Sequence, residues 1–198
     1  MSWINKIEFS QAEGKLKKIY ERIADENGYL DNIVKVHGQR PHTLDGHLSL
    51  YRNVMHHPAN TFTAAWRETV AVYVSLLNQC DYCINHHLAN LHRHVSKQTA
   101  ETLFLALKAN DLQDTFSDKQ VVMLNYVKVL TLLPASVTKI QISRLLESGV
   151  KEGQILELNQ LVGYFSYANR MALGLGLSND GEQLGWVNQQ VEKEVAQM

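Results

Sequence analysis

The chain reads as an all-α protein, and three observations say so. Apolar residues recur at helical spacing along most of its length; capping residues and helix-stopping Gly or Pro divide it into helix-sized pieces; and no pair of strand-like runs flanks a hairpin turn. Strands do not alternate with helices either, which excludes a thioredoxin fold although the chain carries a Cys-x-x-Cys. The 198 residues suffice for one sizeable core, and no stretch rich in Pro, Gly or Ser parts them, so residues 1–198 read as a single domain.

Ser10-Gln11-Ala12-Glu13 has the form of a capping box, after which Leu16, Ile19, Tyr20 and Ile23 mark one helical face and Gly28 offers a stop. Pro41 suits the first turn of a second helix carrying Leu44, Leu48, Tyr51 and Met55, closed by Pro58. The next helix is expected to start at Thr63. From Ala64 to Leu77 it is apolar on several faces, the pattern of a buried helix; Thr69 to Leu77 alone would pass for a strand, and length decides for helix. Asn78 or Gln79 interrupts this run and is expected to cap a helix that holds Cys80 in its first turn and continues toward Arg93. Ser96 is expected to cap a segment through Lys108, and Ser117 with Gln120 another that runs to Leu133 before Pro134. Thr138 with Gln141 repeats the device for a helix that stops at Gly149. Gln154 to Leu173 is a long apolar segment holding Tyr164, Phe165, Tyr167 and Asn169, ended by Gly174 and Gly176, and a last amphipathic helix is expected over about 182–196.

Chemistry concentrates in Cys80-Asp81-Tyr82-Cys83-Ile84-Asn85-His86-His87, which holds both cysteines of the chain. The spacing suits an intramolecular disulfide or half of a zinc site. A helix N-terminus here gathers partial positive charge and free N–H groups, which favour a thiolate. At about 100° per residue, Cys80, Cys83 and His87 fall within roughly 60° of one another. On that stripe His87 can accept the Cys83 thiol proton, and Cys80 can trap an oxidised Cys83 as a disulfide. Glu68, on the preceding helix, faces the pair if the two helices pack antiparallel and can then shuttle protons; its alternative is a structural pairing with an Arg.

Glu68, the Cys80-x-x-Cys83 pair and His87 resemble the Glu…Cys-x-x-Cys-x-x-x-His signature of the AhpD-like alkylhydroperoxidases, within the carboxymuconolactone decarboxylase superfamily. The similarity spans about 29–177, and Tyr164-Phe165-Ser166-Tyr167-Ala168-Asn169-Arg170 looks like the peroxidase-related branch. The resemblance implies an AhpD-like helical fold, a homo-oligomer (trimer or hexamer), and a thiol-dependent peroxidase of antioxidant defence that reduces alkyl hydroperoxides without cofactor or metal. By position it implies that Cys83 attacks the peroxide, Cys80 resolves, and Glu68 with His87 relays protons; an external dithiol or thiol reductant protein then regenerates the pair. AhpD itself has a His two residues after the first cysteine, where this chain has Tyr82. Tyr82, Asn85 and His86 are candidates to line the substrate's approach, against the plainer roles of helix-start packing for Tyr82 and surface or subunit contact for the other two.

Three rival readings accompany this one. Cys80 and Cys83 with His92 and His94 would make a metal site, but His92 continues the same helix and lies too far along its axis. A decarboxylase-like lyase shares the fold without depending on the dithiol, and a disulfide reductase or redox-sensing module would use the same thiolate on a protein partner. Lys plus Arg (19) nearly balance Asp plus Glu (20), and the net charge of -1 gives no electrostatic reason to expect nucleic acid or an anionic membrane. The N-terminus lacks a signal-peptide stretch and no run approaches the ~20 apolar residues that span a bilayer, so a soluble, cytoplasmic protein is expected. His37, His42, His47, His56 and His57 stand at irregular spacing and are expected at surface or cap positions.

Overall fold

The computed structural model describes residues 2–185, and every regular element among them is a helix. The order is α1 (Gly14–Ile23), α2 (Asn32–His37), α3 (Pro41–His56), α4 (Ala64–Leu77), α5 (Asp81–His94), α6 (Lys97–Ala109), α7 (Asp118–Leu132), α8 (Lys139–Glu147) and α9 (Glu152–Gly174), with 3-10 turns at Phe9–Gln11 and Pro134–Ser136. None of these helices is long and apolar enough to cross a membrane.

Helix α4 is the centre of the molecule. Residues 66–75 are all buried, because α5, α6, α7 and α9 pack around it. A helix enclosed on every side needs no polar stripe, which explains the apolar residues on several faces. The polar side chains it does carry must find partners inside. Arg67 donates from Nε to the Met55 carbonyl at 2.8 Å and from its guanidinium to the Phe62 carbonyl; Thr69 donates to the Ala65 carbonyl at 2.8 Å. The main core joins α4 to α7 and α9 through residues such as Val70, Leu124, Leu158 and Phe165. A second cluster, with Leu16, Ile19, Tyr20, Leu30 and Leu44, packs α1 to α3 together, and a small third one holds Cys80, Tyr82, Cys83 and Ala172.

The helix starts follow the expected capping chemistry at four places. Thr63 Oγ1 accepts the Trp66 N–H at 3.2 Å, Ser96 Oγ accepts the Thr99 N–H at 3.1 Å, and Ser117 with Gln120 and Thr138 with Gln141 form reciprocal boxes. Elsewhere the expectations need correcting. The first capping box is made by Glu8 and Gln11 around the 3-10 turn, so Ser10 caps nothing and α1 begins at Gly14. Helix α1 ends at Ile23 and not at Gly28, because Asp25 Oδ1 accepts the N–H groups of Asn27 (2.9 Å) and Tyr29 (2.7 Å) and turns the chain there. The six-residue α2 is too short to show a period in sequence. Of the helix expected over about 182–196, residues 182–185 are not helical, with a turn at 184–185, and the remainder lies outside the described residues.

The α4–α5 junction also differs from expectation, and it positions the cysteines. Asn78 ends α4 and Gln79 takes φ 56°; the Gln79 N–H reaches the Leu76 carbonyl at 3.1 Å and the Cys80 N–H the Ser75 carbonyl at 2.9 Å. This is a Schellman ending, in which a left-handed residue lets two N–H groups fold back on the last turn. Cys80 is therefore the N-cap of α5 and not a member of its first turn, and neither Asn78 nor Gln79 caps that helix.

Candidate active site

Cys80 and Cys83 stand at the start of α5, both buried, with their Sγ atoms 2.9 Å apart. Both are free thiols. The hydrogen bond from Cys83 holds the Cys80 thiol below its ordinary range, against the cost of burial; the nearby Cys83 backbone N–H helps without forming a full capping bond. Cys83 is pushed well up, first by sharing its proton with Cys80 and then by burial, with a hydrogen bond from Asn169 working the other way. A helix start therefore does not lower both thiols: the two sulfurs share one proton and titrate as a pair.

Glu68 and His87 meet in a hydrogen bond. The Glu68 carboxylate, 2 % exposed, accepts from His87 Nδ1 at 2.7 Å. Arg67 is engaged with backbone carbonyls, so Glu68 is held by the histidine and not by a structural arginine. This contact requires α4 and α5 to lie side by side, as they do. It fixes the hydrogen on Nδ1 and leaves Nε2 as an acceptor. The Phe165 ring lies edge-on to the imidazole at 4.6 Å and limits its rotation.

A cavity of about 110 Å³ opens onto this site. Cys83 and His87 line it and Cys80 does not. Its walls are largely apolar and aromatic, with Leu30, Ile33, Leu48, Tyr51 and Tyr164 among them. A water molecule needs only about 10–15 Å³ of such space, so the cavity admits an organic group.

The three candidates for the substrate's approach separate. Tyr82 and His86 line the cavity; Asn85 does not, and instead donates to Asn179 Oδ1 at 2.9 Å on the surface, fastening the segment that follows α9. The Tyr82 hydroxyl accepts the Ile33 N–H and donates to Glu182 Oε1, each at 3.1 Å. His92 and His94 join no cluster of metal-ligating groups among the described residues.

Several site residues have no counterpart in the sequence reading. His47 and His56, expected at surface or cap positions, line the cavity from α3, and His37 is buried behind them with its ring stacked on His47 at 4.6 Å. Burial lowers His47 to about 3 and His56 to about 4, the charge of His37 adding to the first effect and Glu68 opposing the second. The run His47, Leu48, Tyr51, Arg52, His56 does carry a trace of this, since its spacing places all five on one face of α3. Asn169, fully buried, donates to Ser75 Oγ at 3.1 Å and accepts from Asn78 at 2.9 Å, so a polar bridge from α4 to α9 also steadies Cys83.

Neither a protein-family model nor a curated protein sequence matches the chain. Solved structures do. An uncharacterized peroxidase-related protein from Ralstonia eutropha JMP134, described as an alkylhydroperoxidase AhpD core, superposes with a TM-score of 0.77 at 20% identity, covering 94% of this chain and 97% of that one. The chain has the AhpD-like fold. An uncharacterized peroxidase-related protein from Silicibacter sp. TM1040 gives 0.74 at 22% identity over 89% and 91% of the two chains. The same AhpD-like architecture is found in the debrominase Bmp8, with a TM-score of 0.68 at 16% identity over 96% of both chains; Bmp8 has also been seen, as a variant, in complex with 2,3,4-tribromopyrrole.

Proposed function

We propose that this protein is a thiol-dependent peroxidase that reduces alkyl hydroperoxides. The observation that carries the reading is the cavity, into which Cys83 and His87 open together while Cys80 waits 2.9 Å behind Cys83. The Cys83 thiol gives its proton to His87 Nε2, and the imidazolium is stabilised by Glu68. The Cys83 thiolate attacks one peroxide oxygen; the O–O bond breaks, the sulfur becomes a sulfenic acid, and the departing alkoxide takes the proton from His87 to leave as an alcohol. The Cys80 thiol then displaces the sulfenic hydroxyl, releasing water and forming the Cys80–Cys83 disulfide, which an external dithiol reduces by two electrons. Access favours Cys83 as the attacking group, and a proton can pass between the two sulfurs. The apolar wall favours organic peroxides over hydrogen peroxide. A homo-oligomer, trimer or hexamer, belongs to the same proposal, and light scattering of the purified chain tests it.

The main test follows hydroperoxide consumption with a dithiol reductant. Cys83→Ser is expected to abolish turnover, and Cys80→Ser to allow a single round that stops at a sulfenic acid trapped by dimedone. Full activity of Cys83→Ser, or no turnover of any of several peroxides by the unaltered chain, would refute the mechanism.

The aromatic, ring-sized cavity favours a second reading, reductive removal of halogen from a small ring: the Cys83 thiolate attacks the halogen, the carbon–halogen bond breaks and the ring carbon takes the proton held by His87, and the Cys80 thiol then displaces halide from the sulfenyl halide to form the disulfide. Bromide release from a bromopyrrole in the same assay separates the two.

A further inference from the structure

One turn along α5 from Cys83, three ligating groups from separate parts of the chain converge. Asp31, the N-cap residue of α2, His86 of α5 and Glu182 of the segment after α9 each offer a ligand atom within 4.8 Å of the other two. Each also presents one buried atom with no hydrogen-bond partner, namely Asp31 Oδ1, His86 Nε2 and Glu182 Oε2. The side chains of His86 and Glu182 are 10 % and 2 % exposed. Two carboxylates and one imidazole are thus enclosed together, with three acceptor or ligand atoms left over. Buried polar atoms rarely go unmatched, and carboxylates least of all.

We propose that Asp31, His86 and Glu182 form a site for a divalent first-row transition cation. The separation of His86 Nε2 and Glu182 Oε2 is 3.7 Å, too long for a hydrogen bond. Two such ligands at about 2.1 Å from one tetrahedral ion stand about 3.4 Å apart, so the pair needs to close by only a few tenths of an ångström. One imidazole nitrogen and two carboxylate oxygens make a donor set of intermediate hardness, suited to zinc, manganese or ferrous iron more than to magnesium or calcium. The outer contacts are those of a metal site as well. Glu182 Oε1 is held by the Asn32 N–H and the Tyr82 hydroxyl, and the Tyr82 ring lies against His86 at 4.8 Å, so two of the three ligands are already oriented. Asp31 and His86 line the same cavity as Cys83, which gives the ion an open position facing it. The ion would pin the segment after α9 to α2 and α5, over the cysteine pair.

The test uses the full chain, stripped with a chelator and kept reduced, titrated with Co²⁺ and then Zn²⁺. One Co²⁺ per chain is expected, with the intense visible d–d bands of a four-coordinate ion and without the near-ultraviolet thiolate charge-transfer band. The same binding is expected in the Cys80→Ser, Cys83→Ser double variant, which removes the competing thiols. Glu182→Gln, in a segment beyond the last helix and therefore harmless to the helical body, and His86→Gln should each weaken Co²⁺ binding at least about tenfold. A chain that binds no ion, binding that disappears with the cysteines, or binding unchanged in both ligand variants overturns the site.

Discussion

At the residue scale the decisive pair is Glu68 and His87. Glu68 is enclosed by α4's neighbours and its carboxylate is held by the imidazole, so the two side chains cannot be removed with equal effect. Glu68→Gln keeps an oxygen that can accept from Nδ1 and removes only the charge. It is expected to leave thermal stability nearly unchanged while peroxide turnover falls roughly 10²-fold, the usual scale of a proton-transfer contribution. His87→Ala instead strands a buried carboxylate and should cost about 3 kcal/mol of stability as well as activity. Urea titration and steady-state rates on both variants check the contrast; a Glu68→Gln protein of full activity would remove Glu68 from the relay. The stripe of Cys80, Cys83 and His87 was legible in sequence because helical spacing is a local property. Tyr82 and His86 were also read as candidates, but His47 and His56 were not, since they reach the cavity only through the packing of α3, and a histidine in sequence carries no mark of its burial; Asn169 reaches Cys83 only through the packing of α9.

At the element scale the junction between α4 and α5 sets where the cysteines stand. Four of the helix starts could be read directly, since Ser and Thr caps act on amides two or three residues away. The start of α5 could not, because cysteine is not a usual capping residue and Asn78, a good one, ends α4 instead. What holds the junction is Gln79, a residue with a β-carbon in the left-handed region at φ 56°. Glycine adopts that conformation without the steric penalty. Gln79→Gly should therefore stabilise the protein by roughly 0.5–1 kcal/mol, net of glycine's greater freedom when unfolded, seen as a rise in the thermal midpoint. Gln79→Val, β-branched and resistant to positive φ, should lower it and disturb the Cys80 N–H bond to Ser75. Equal midpoints for the two variants would show that the junction is not under this constraint.

At the scale of the whole molecule, the buried histidines tie stability to pH. His47 at about 3 and His56 at about 4 stand below the value of about 6.5 that each takes in the unfolded chain, burial being the main cause. The unfolded chain therefore binds more protons as the pH falls through 6.5. Their contribution is fully present above that pH and is lost progressively down to about pH 4 for His56 and pH 3 for His47. At pH 5 each costs roughly 2 kcal/mol, from about 1.5 pH units at 1.36 kcal/mol per unit. Asp31 acts the other way in the metal-free chain: burial raises it to about 6, and its protonation in the folded state returns part of the loss. The two histidines outweigh it, so unfolding in urea should come at lower denaturant at pH 5 than at pH 8. His47→Phe isolates the effect, because it keeps a ring against His37 and Tyr164 while removing the titrating nitrogen. The difference in stability between the two pH values should shrink by roughly 2 kcal/mol in this variant, and an undiminished difference would place the acid sensitivity elsewhere.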